Sequence, residues 1–330
     1  MPTSDPPTPP TEPPTTAPPP TAPPPTTPPP VGPPLANPLL GHPPGARLLL
    51  LNCDDFGMDE SVNLAVIDAV RNGVAASCSL MTPCQAAPHA LRLLRRHPEV
   101  PFGVHLTLVC ESPDRRWGPL AARERVPSLL DDTGELFAPT PAGRAGLLAR
   151  ARIDHVEREF RAQIDAVAAA GLAPTHLDFH CLADGGRADI LDLALDLGAE
   201  YGLAVRVWLP PALDRLREHG LPVVDHGFLD SFAVPSDDKP AHYARALAAL
   251  PPGLTEWALH PSLAGPNPRA PQDGWRVRRT DYEFLVSPEA RRLLTEHGIT
   301  VLGYRTLQEA WRRARGRLAS GPGRSAGVPR

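Results

Sequence analysis

Arg47-Leu48-Leu49-Leu50-Leu51-Asn52-Cys53-Asp54-Asp55-Phe56-Gly57 is an unbroken apolar run that ends in polar residues. Continuous hydrophobicity without alternation marks a strand covered on both faces, as in a parallel sheet. Val62, Val66, Ile67 and Val70 then recur at helical spacing, and Gly73 suits the residue just past a helix C-terminus. The same unit repeats along the chain. Strand-like runs at 76–81, 102–108, 175–179, 204–208, 255–259 and 300–303 alternate with helical patterns at 88–97, 150–170, 190–201, 239–250, 288–297 and 306–313. Such alternation predicts an α/β fold, a parallel sheet with helices outside it. An open doubly wound sheet and a (β/α) barrel both satisfy the pattern. No G-x-G-x-x-G follows the first strand, which weakens a dinucleotide-binding sheet, so the expected fold is an irregular, TIM-barrel-like (β/α) barrel.

Upstream of this run the composition changes abruptly. Of the 45 prolines in 330 residues, 21 precede Gly45, in a stretch whose only Asp, Glu, Lys or Arg side chains are Asp5 and Glu12. Proline fixes φ and removes a donor, so residues 1–45 are expected to form a Pro/Thr-rich tail without a core of its own. Residues 46–313 make the catalytic-sized domain, and 314–330, rich in Arg and Gly, a second tail. Residues 109–144 are too long for a plain connection and read as an insertion over the functional face.

Charge and cysteine usage exclude several classes. A net charge of −4 offers no positive field for nucleic acid. Lys239 is the sole lysine, and no Walker lysine exists for phosphoryl transfer. Cys53, Cys78, Cys84, Cys110 and Cys181 form no C-x-x-C pair, which predicts reduced, buried thiols. No apolar run is long enough to span a membrane and no secretory signal is legible, so the expected location is the cytoplasm.

In either architecture, chemistry belongs at the carboxyl ends of the strands. Asp54 and Asp55 follow four leucines and cannot both be buried and ionised without partners, unless one merely caps the next helix. His105 stands in Gly103-Val104-His105-Leu106. In Thr175-His176-Leu177-Asp178-Phe179-His180, period-two alternation puts His176, Asp178 and His180 on one face. Glu256 and His260 share a face in Glu256-Trp257-Ala258-Leu259-His260-Pro261. One carboxylate with two imidazoles is a cation-binding set that leaves positions for water and substrate. A leftover carboxylate then acts as base and His260 as acid. Arg206 and Trp208, at a strand end, are candidates to grip and stack on a sugar ring.

These residues carry a resemblance. Asn52-Cys53-Asp54-Asp55-Phe56-Gly57 resembles the N-A-D-D-F-G opening of the YdjC-like carbohydrate deacetylases. Gly103-Val104-His105-Leu106 is similar to their G-x-H-L/F segment, Thr175–His180 to T-H-L-D-S-H, and Leu259-His260-Pro261 to C-H-P, in the same order over residues 47–312. The resemblance implies an irregular (β/α) barrel, commonly dimeric, so a homodimer is among the expected assemblies. It implies removal of acetyl groups from N-acetylated sugars, oligosaccharides or glycolipid headgroups with one divalent metal ion. Magnesium or zinc is expected, with manganese and cobalt also suited to the donors. Asp55, His105 and His180 would hold the metal, Asp54 would be general base and His260 general acid. The family settles no role for His176, Asp178 and Glu256; their chemistry beside the ligands is expected to orient the imidazoles, and Glu256 or Asp178 would favour the charged form of His260. Two positions depart from the pattern: Phe179 replaces a serine, and Cys181-Leu182 replaces the further histidine of H-x-H. The same Asp/His set would also serve a phosphoesterase, and a degenerate site would leave a carbohydrate-binding protein.

Overall fold

A computed structural model describes residues 35–235, 238–266 and 274–319. Leu48 to Leu51 lie in the first strand, β1 (Arg47–Phe56), and all four are buried. The units that follow are α1 (Glu60–Arg71), β2 (Ser77–Leu80), α2 (Ala87–Arg96), β3 (Phe102–Leu106), α3 (Pro141–Arg150), α4 (Ile153–Ala169) and β4 (His176–Phe179). Then come α5 (Ala188–Glu200), β5 (Ala204–Val205), α6 (Ala212–Glu218), β6 (Phe228–Asp230), α7 (Lys239–Ala248) and β7 (Gly253–Leu259). The described chain closes with α8 (Trp275–Leu285), α9 (Pro288–Glu296), β8 (Ile299–Leu302) and α10 (Tyr304–Ala319).

The sheet has eight strands, in the order β5-β4-β3-β2-β1-β7-β6, and every pairing is parallel. β8 pairs with residues 47–50 of β1, while β2 pairs with 52–56, so two strands share one edge of β1 end to end. β5 and β6 are the two free edges of this order. The sheet nevertheless curls, because Arg206, just past β5, donates to Glu256 on β7 at 2.7 Å, although four strands separate β5 from β7 in the sheet. The architecture is an open (β/α) half-barrel, an irregular form of the (β/α) barrel expected from the sequence.

Two glycines of the sequence motifs have a physical reason. A Cβ on Gly103 would stand 2.5 Å from the His176 ring, so the imidazole packs directly on the β3 backbone. Gly57 has φ +100° and a Cβ there would meet the Met81 carbonyl oxygen at 2.9 Å.

The domain limits expected at 46 and 313 need correction at both ends. Asn37 is fully buried, and its amide donates to the carbonyls of Pro43 at 2.9 Å and Ala46 at 2.8 Å. The Ala36 N–H meets the Asp225 carboxylate, and Leu40 is buried. At the other end α10 runs past Arg313, and Arg315 donates to the carbonyls of Gly198 and Leu203. The expected tail residues 1–34 and 320–330 lie outside the described residues. Removing residues through 40 takes the Asn37 donor from the Pro43 and Ala46 carbonyls, each of which keeps one backbone partner, strips the Ala36 N–H from Asp225 and bares the site of Leu40. Relative to a chain starting at Leu35, this should cost about 2–4 kcal/mol, read as a lower urea midpoint. Equal midpoints would show that the segment contributes nothing.

The insertion lies where the sequence places it, over the carboxyl ends of the strands. It is packed rather than loose: Trp117, Val126, Leu129 and Leu136 are buried. Buried Glu159 on α4 accepts the backbone N–H groups of Leu120 and Ala121, both at 2.9 Å. Among the described residues no helix is long and apolar enough to cross a membrane.

Candidate active site

The aspartate pair at the end of β1 does not cap α1. Asp59 does that, accepting the Val62 N–H at 2.9 Å, and so leaves Asp54 and Asp55 for other work. The β1–β2 register shifts between Cys53 and Phe56, and Asp55 sits at φ 66°, a left-handed conformation that aspartate tolerates better than most residues. Neighbouring carboxylates thereby receive different surroundings.

Asp55 Oδ1 lies 3.2 Å from His180 Nδ1 and 3.5 Å from His105 Nε2. One donor atom from each of these residues falls within 4.8 Å of the others, and all three side chains are buried. His105 is oriented from behind: its Nδ1 pairs with Asp178 Oδ1 at 2.8 Å, leaving Nε2 for the cluster. Burial disfavours the His105 imidazolium, but the Asp178 carboxylate outweighs it, with Asp55 and Asp54 adding to the effect, and pushes the pKa up to about 10. His180 is likewise raised, against burial, by Cys181 and Asp55.

The donor set fits a divalent cation. Asp54, Asp55, Glu111, Asp178 and Glu256 crowd the site, while Arg206 and Arg278 are the guanidinium groups that face them. The carboxylates outnumber the guanidinium groups, and a cation would offset that excess of negative charge. Asp54, His105 and Asp178 also converge. In that trio, however, both carboxylates are engaged by Arg206 and His105 offers Asp178 its other nitrogen, so the Asp55, His105, His180 trio is the better cation site.

Arg206 corrects an expectation. It does not reach out to grip a ligand but is 5% exposed in the floor of the half-barrel. Its fork donates to Asp54 Oδ2 at 2.7 Å and Oδ1 at 2.9 Å, its Nη1 approaches Asp178 at 2.9 Å, and its Nε reaches Glu256. Burial raises the Asp54 pKa, yet the Arg206 charge and hydrogen bonds, with His105, bring it below the usual carboxylate value. Asp178 is lowered further by Arg206 and His105. Glu256 goes the other way: burial dominates and its pKa is raised.

Of the residues expected to orient imidazoles, Asp178 does so directly. Glu256 instead anchors Arg206 and accepts the Tyr304 hydroxyl at 2.7 Å. His176 is one step removed: it meets Ser79 Oγ at 3.1 Å and Thr175 Oγ1 at 2.9 Å, and stacks on Tyr304. Burial lowers its pKa.

His260 lines the same cavity, of about 510 Å³, as Asp54, Asp55, His105 and His180. The carboxylate near its ring is that of Asp230, 4.0 Å from Nδ1, and neither Glu256 nor Asp178 takes that place. Ser231 Oγ pairs with Nδ1 at 2.9 Å, so Nε2 is the nitrogen left for the cleft. The His260 backbone N–H donates to Asp281, a buried carboxylate that also holds Lys239 and Tyr243. Trp208 lines the cavity, half-buried and stacked on Phe228 with ring centroids 5.1 Å apart.

Two neighbours of the cluster had no reading in the sequence. Arg278 on α8, 3% exposed, donates through Nη2 to Asp55 Oδ2 at 2.7 Å and to Glu111 of the insertion. Glu111 Oε2 stands 3.5 Å from His180 Nε2. The signal for Arg278 was its spacing: Arg278, Asp281 and Leu285 lie three and four residues apart, on one helical face.

An open half-barrel that gathers carboxylates and imidazoles around one point, at the carboxyl ends of parallel strands, defines an α/β protein with a candidate metal centre. The YdjC-like protein family model matches residues 48–296, and the chain belongs to this family. A carbohydrate deacetylase of Thermus thermophilus is 34% identical over 280 residues, covering 81% of this chain and 96% of that protein. A carbohydrate deacetylase of Geobacillus stearothermophilus is 35% identical over 186 residues, 56% of this chain and 68% of that one. Among solved structures, a protein of Enterococcus faecalis V583 described as a cellobiose-phosphate cleavage protein superposes with a TM-score of 0.65 at 24% identity. It covers 79% of this chain and 99% of that one, a likeness of fold.

Proposed function

We propose that this chain is a metal-dependent hydrolase that removes the acetyl group from an N-acetylated sugar, oligosaccharide or glycolipid headgroup. The observation that carries the reading is the meeting of Asp55, His105 and His180 on one point, beside Asp54 and His260 in one cleft. The naming of its relatives as carbohydrate deacetylases supports it. Asp55, His105 and His180 would hold magnesium, zinc, manganese or cobalt. When bound, the cation supplies the Lewis acidity that polarises an acetyl carbonyl and acidifies water.

The chain's own groups do the proton work. Asp54, ionised beside Arg206, takes a proton from the attacking water. A carboxylate held low is a weak base, so it acts on water already acidified. His260 delivers a proton from Nε2 to the amine nitrogen as the C–N bond breaks. Trp208 and Phe228 present the apolar face that a sugar ring stacks on.

The test is a screen of N-acetylated mono- and oligosaccharides for released acetate, run beside phosphomonoesters for released phosphate. Acetate release alone supports the reading, and phosphate release alone replaces it with a phosphoesterase. Sugar binding without either product would make the chain a binding protein. Within the reading, His260→Ala should lower kcat by about 10²–10⁴-fold, the contribution of one general acid, with bound metal unchanged. Loss of metal from that variant would make His260 a ligand instead.

A further inference from the structure

Cys181, directly after His180, does not behave like the other cysteines. Cys53, Cys78, Cys84 and Cys110 are buried, whereas Cys181 is exposed, which corrects the expectation of five buried thiols. Its sulfur lies 3.5 Å from His180 Nε2 and 3.9 Å from Nδ1, beside the ring. Glu111 Oε2 lies 3.5 Å from the same nitrogen, and the three donor atoms all fall within 4.8 Å of one another.

The geometry points to a second cation site, formed by Glu111, His180 and Cys181, that takes a thiophilic divalent cation such as cadmium or zinc and blocks the cleft when filled. Tetrahedral zinc has bonds of about 2.3 Å to thiolate sulfur, about 2.0–2.1 Å to imidazole nitrogen and about 2.0–2.2 Å to carboxylate oxygen. Those lengths imply sulfur–nitrogen edges of about 3.5–3.6 Å and nitrogen–oxygen edges of about 3.3–3.5 Å. Both edge lengths match, and a turn of the exposed Cys181 side chain is what carries its sulfur from beside the ring, where it is also 3.9 Å from Nδ1, onto the Nε2 lone pair. Arg278 occupies the other oxygen of Glu111 and so turns Oε2 toward His180. The fourth position faces the cavity, which Glu111, His180 and Cys181 all line.

Binding replaces the thiol proton, and the Nε2 proton where present, with the cation, and the protons pass to the buffer. Soft thiolate selects zinc and cadmium over magnesium, so this site and a harder one at Asp55 and His105 need not compete for the same ion. A cation on Nε2 either makes His180 a bridge between two cations or draws it from the first. The site itself stands on its own donors, and only its inhibitory effect rests on the function proposed above.

Cadmium chloride titrated into the full chain is the probe, with bound cadmium counted by elemental analysis and thiolate coordination read from the ultraviolet sulfur-to-cadmium charge-transfer band. Wild type should show the band, Cys181→Ser should lack it, and Glu111→Gln should require at least about tenfold more cadmium to reach it. Cadmium should inhibit acetate release by wild type at concentrations at least about tenfold below those needed for Cys181→Ser. A band that persists in Cys181→Ser, or cadmium bound to wild type without a band, overturns the site. Matching melting curves for wild type and Cys181→Ser keep unfolding out of the comparison. Asp55→Asn separates the two claims: the band retained with acetate release lost supports both, and acetate release retained sinks the proposed function while the cadmium result stands.

Discussion

Arg206→Met is expected to be the most destabilising single substitution in the molecule, by about 3–5 kcal/mol, because it leaves Asp54, Asp178 and Glu256 buried without their shared cation. Typical domains have only about 5–15 kcal/mol of stability, so such a loss consumes much of it. Methionine has a similar reach but supplies no donor, and Asp54 keeps only the Asn52 amide of the three N–H groups now on it. Arg206→Lys should recover part of the loss, since it restores the charge without the planar fork. Urea midpoints of the three proteins test this, and equal midpoints for wild type and Arg206→Met would show that the carboxylates find other partners. The same cluster sets a pH dependence. Asp54 and Asp178 have folded pKa values below their unfolded ones, so their contribution is present at neutral pH and lost as pH falls through and below the carboxylate range. Glu256, raised by burial, opposes them and gains as pH falls, so the two aspartates account for the direction of the change.

Asp54→Asn is expected to abolish most turnover while leaving cation binding nearly intact. Removal of a general base lowers kcat by about 10²–10⁴-fold. The amide keeps the shape of the carboxylate and leaves Arg206 with Asp178 and Glu256, so the fold should survive. The contrast with its neighbour is the informative part. Asp55, whose Oδ1 both imidazoles approach, should be indispensable for the cation, and asparagine also tolerates its left-handed backbone. The check is the metal concentration needed to restore acetate release in each variant after chelation. A large rise for Asp54→Asn would move Asp54 into the ligand set, beside His105 and Asp178.

Much of the fold was legible because its strands are buried on both faces. The leucines of β1, the alternation in β4 and the late strand β7 all follow from hydrophobic pattern alone, and each delivers its polar residue to the predicted end. Two of the places where the reading failed share a cause: the buried face was polar. α8 carries Arg276, Arg278, Arg279, Asp281 and Glu283, and its inward residues include Arg278 and Asp281, so hydropathy shows no stripe until Phe284 and Leu285. Arg206 was misread for a related reason. An arginine at a strand end ordinarily seeks water or a ligand, and only the tertiary meeting of Asp54, Asp178 and Glu256 draws it inward. α6 and β6 are too short, at 7 and 3 residues, for periodicity to register. No local pattern in the insertion reveals that Glu111 reaches His180, because that contact depends on how 109–144 folds back over the strands.

In the function proposed above, Asp55, His105 and His180 hold a cation on which acetate release depends. The direct test strips the full chain with a chelator and titrates one equivalent of magnesium, manganese, cobalt or zinc back while acetate is measured. Wild type should lose its activity on chelation and regain it with at least one of these ions, whereas Asp55→Asn should release no acetate under any of them. Full activity in the chelated wild type, or restored activity in Asp55→Asn, would contradict the account.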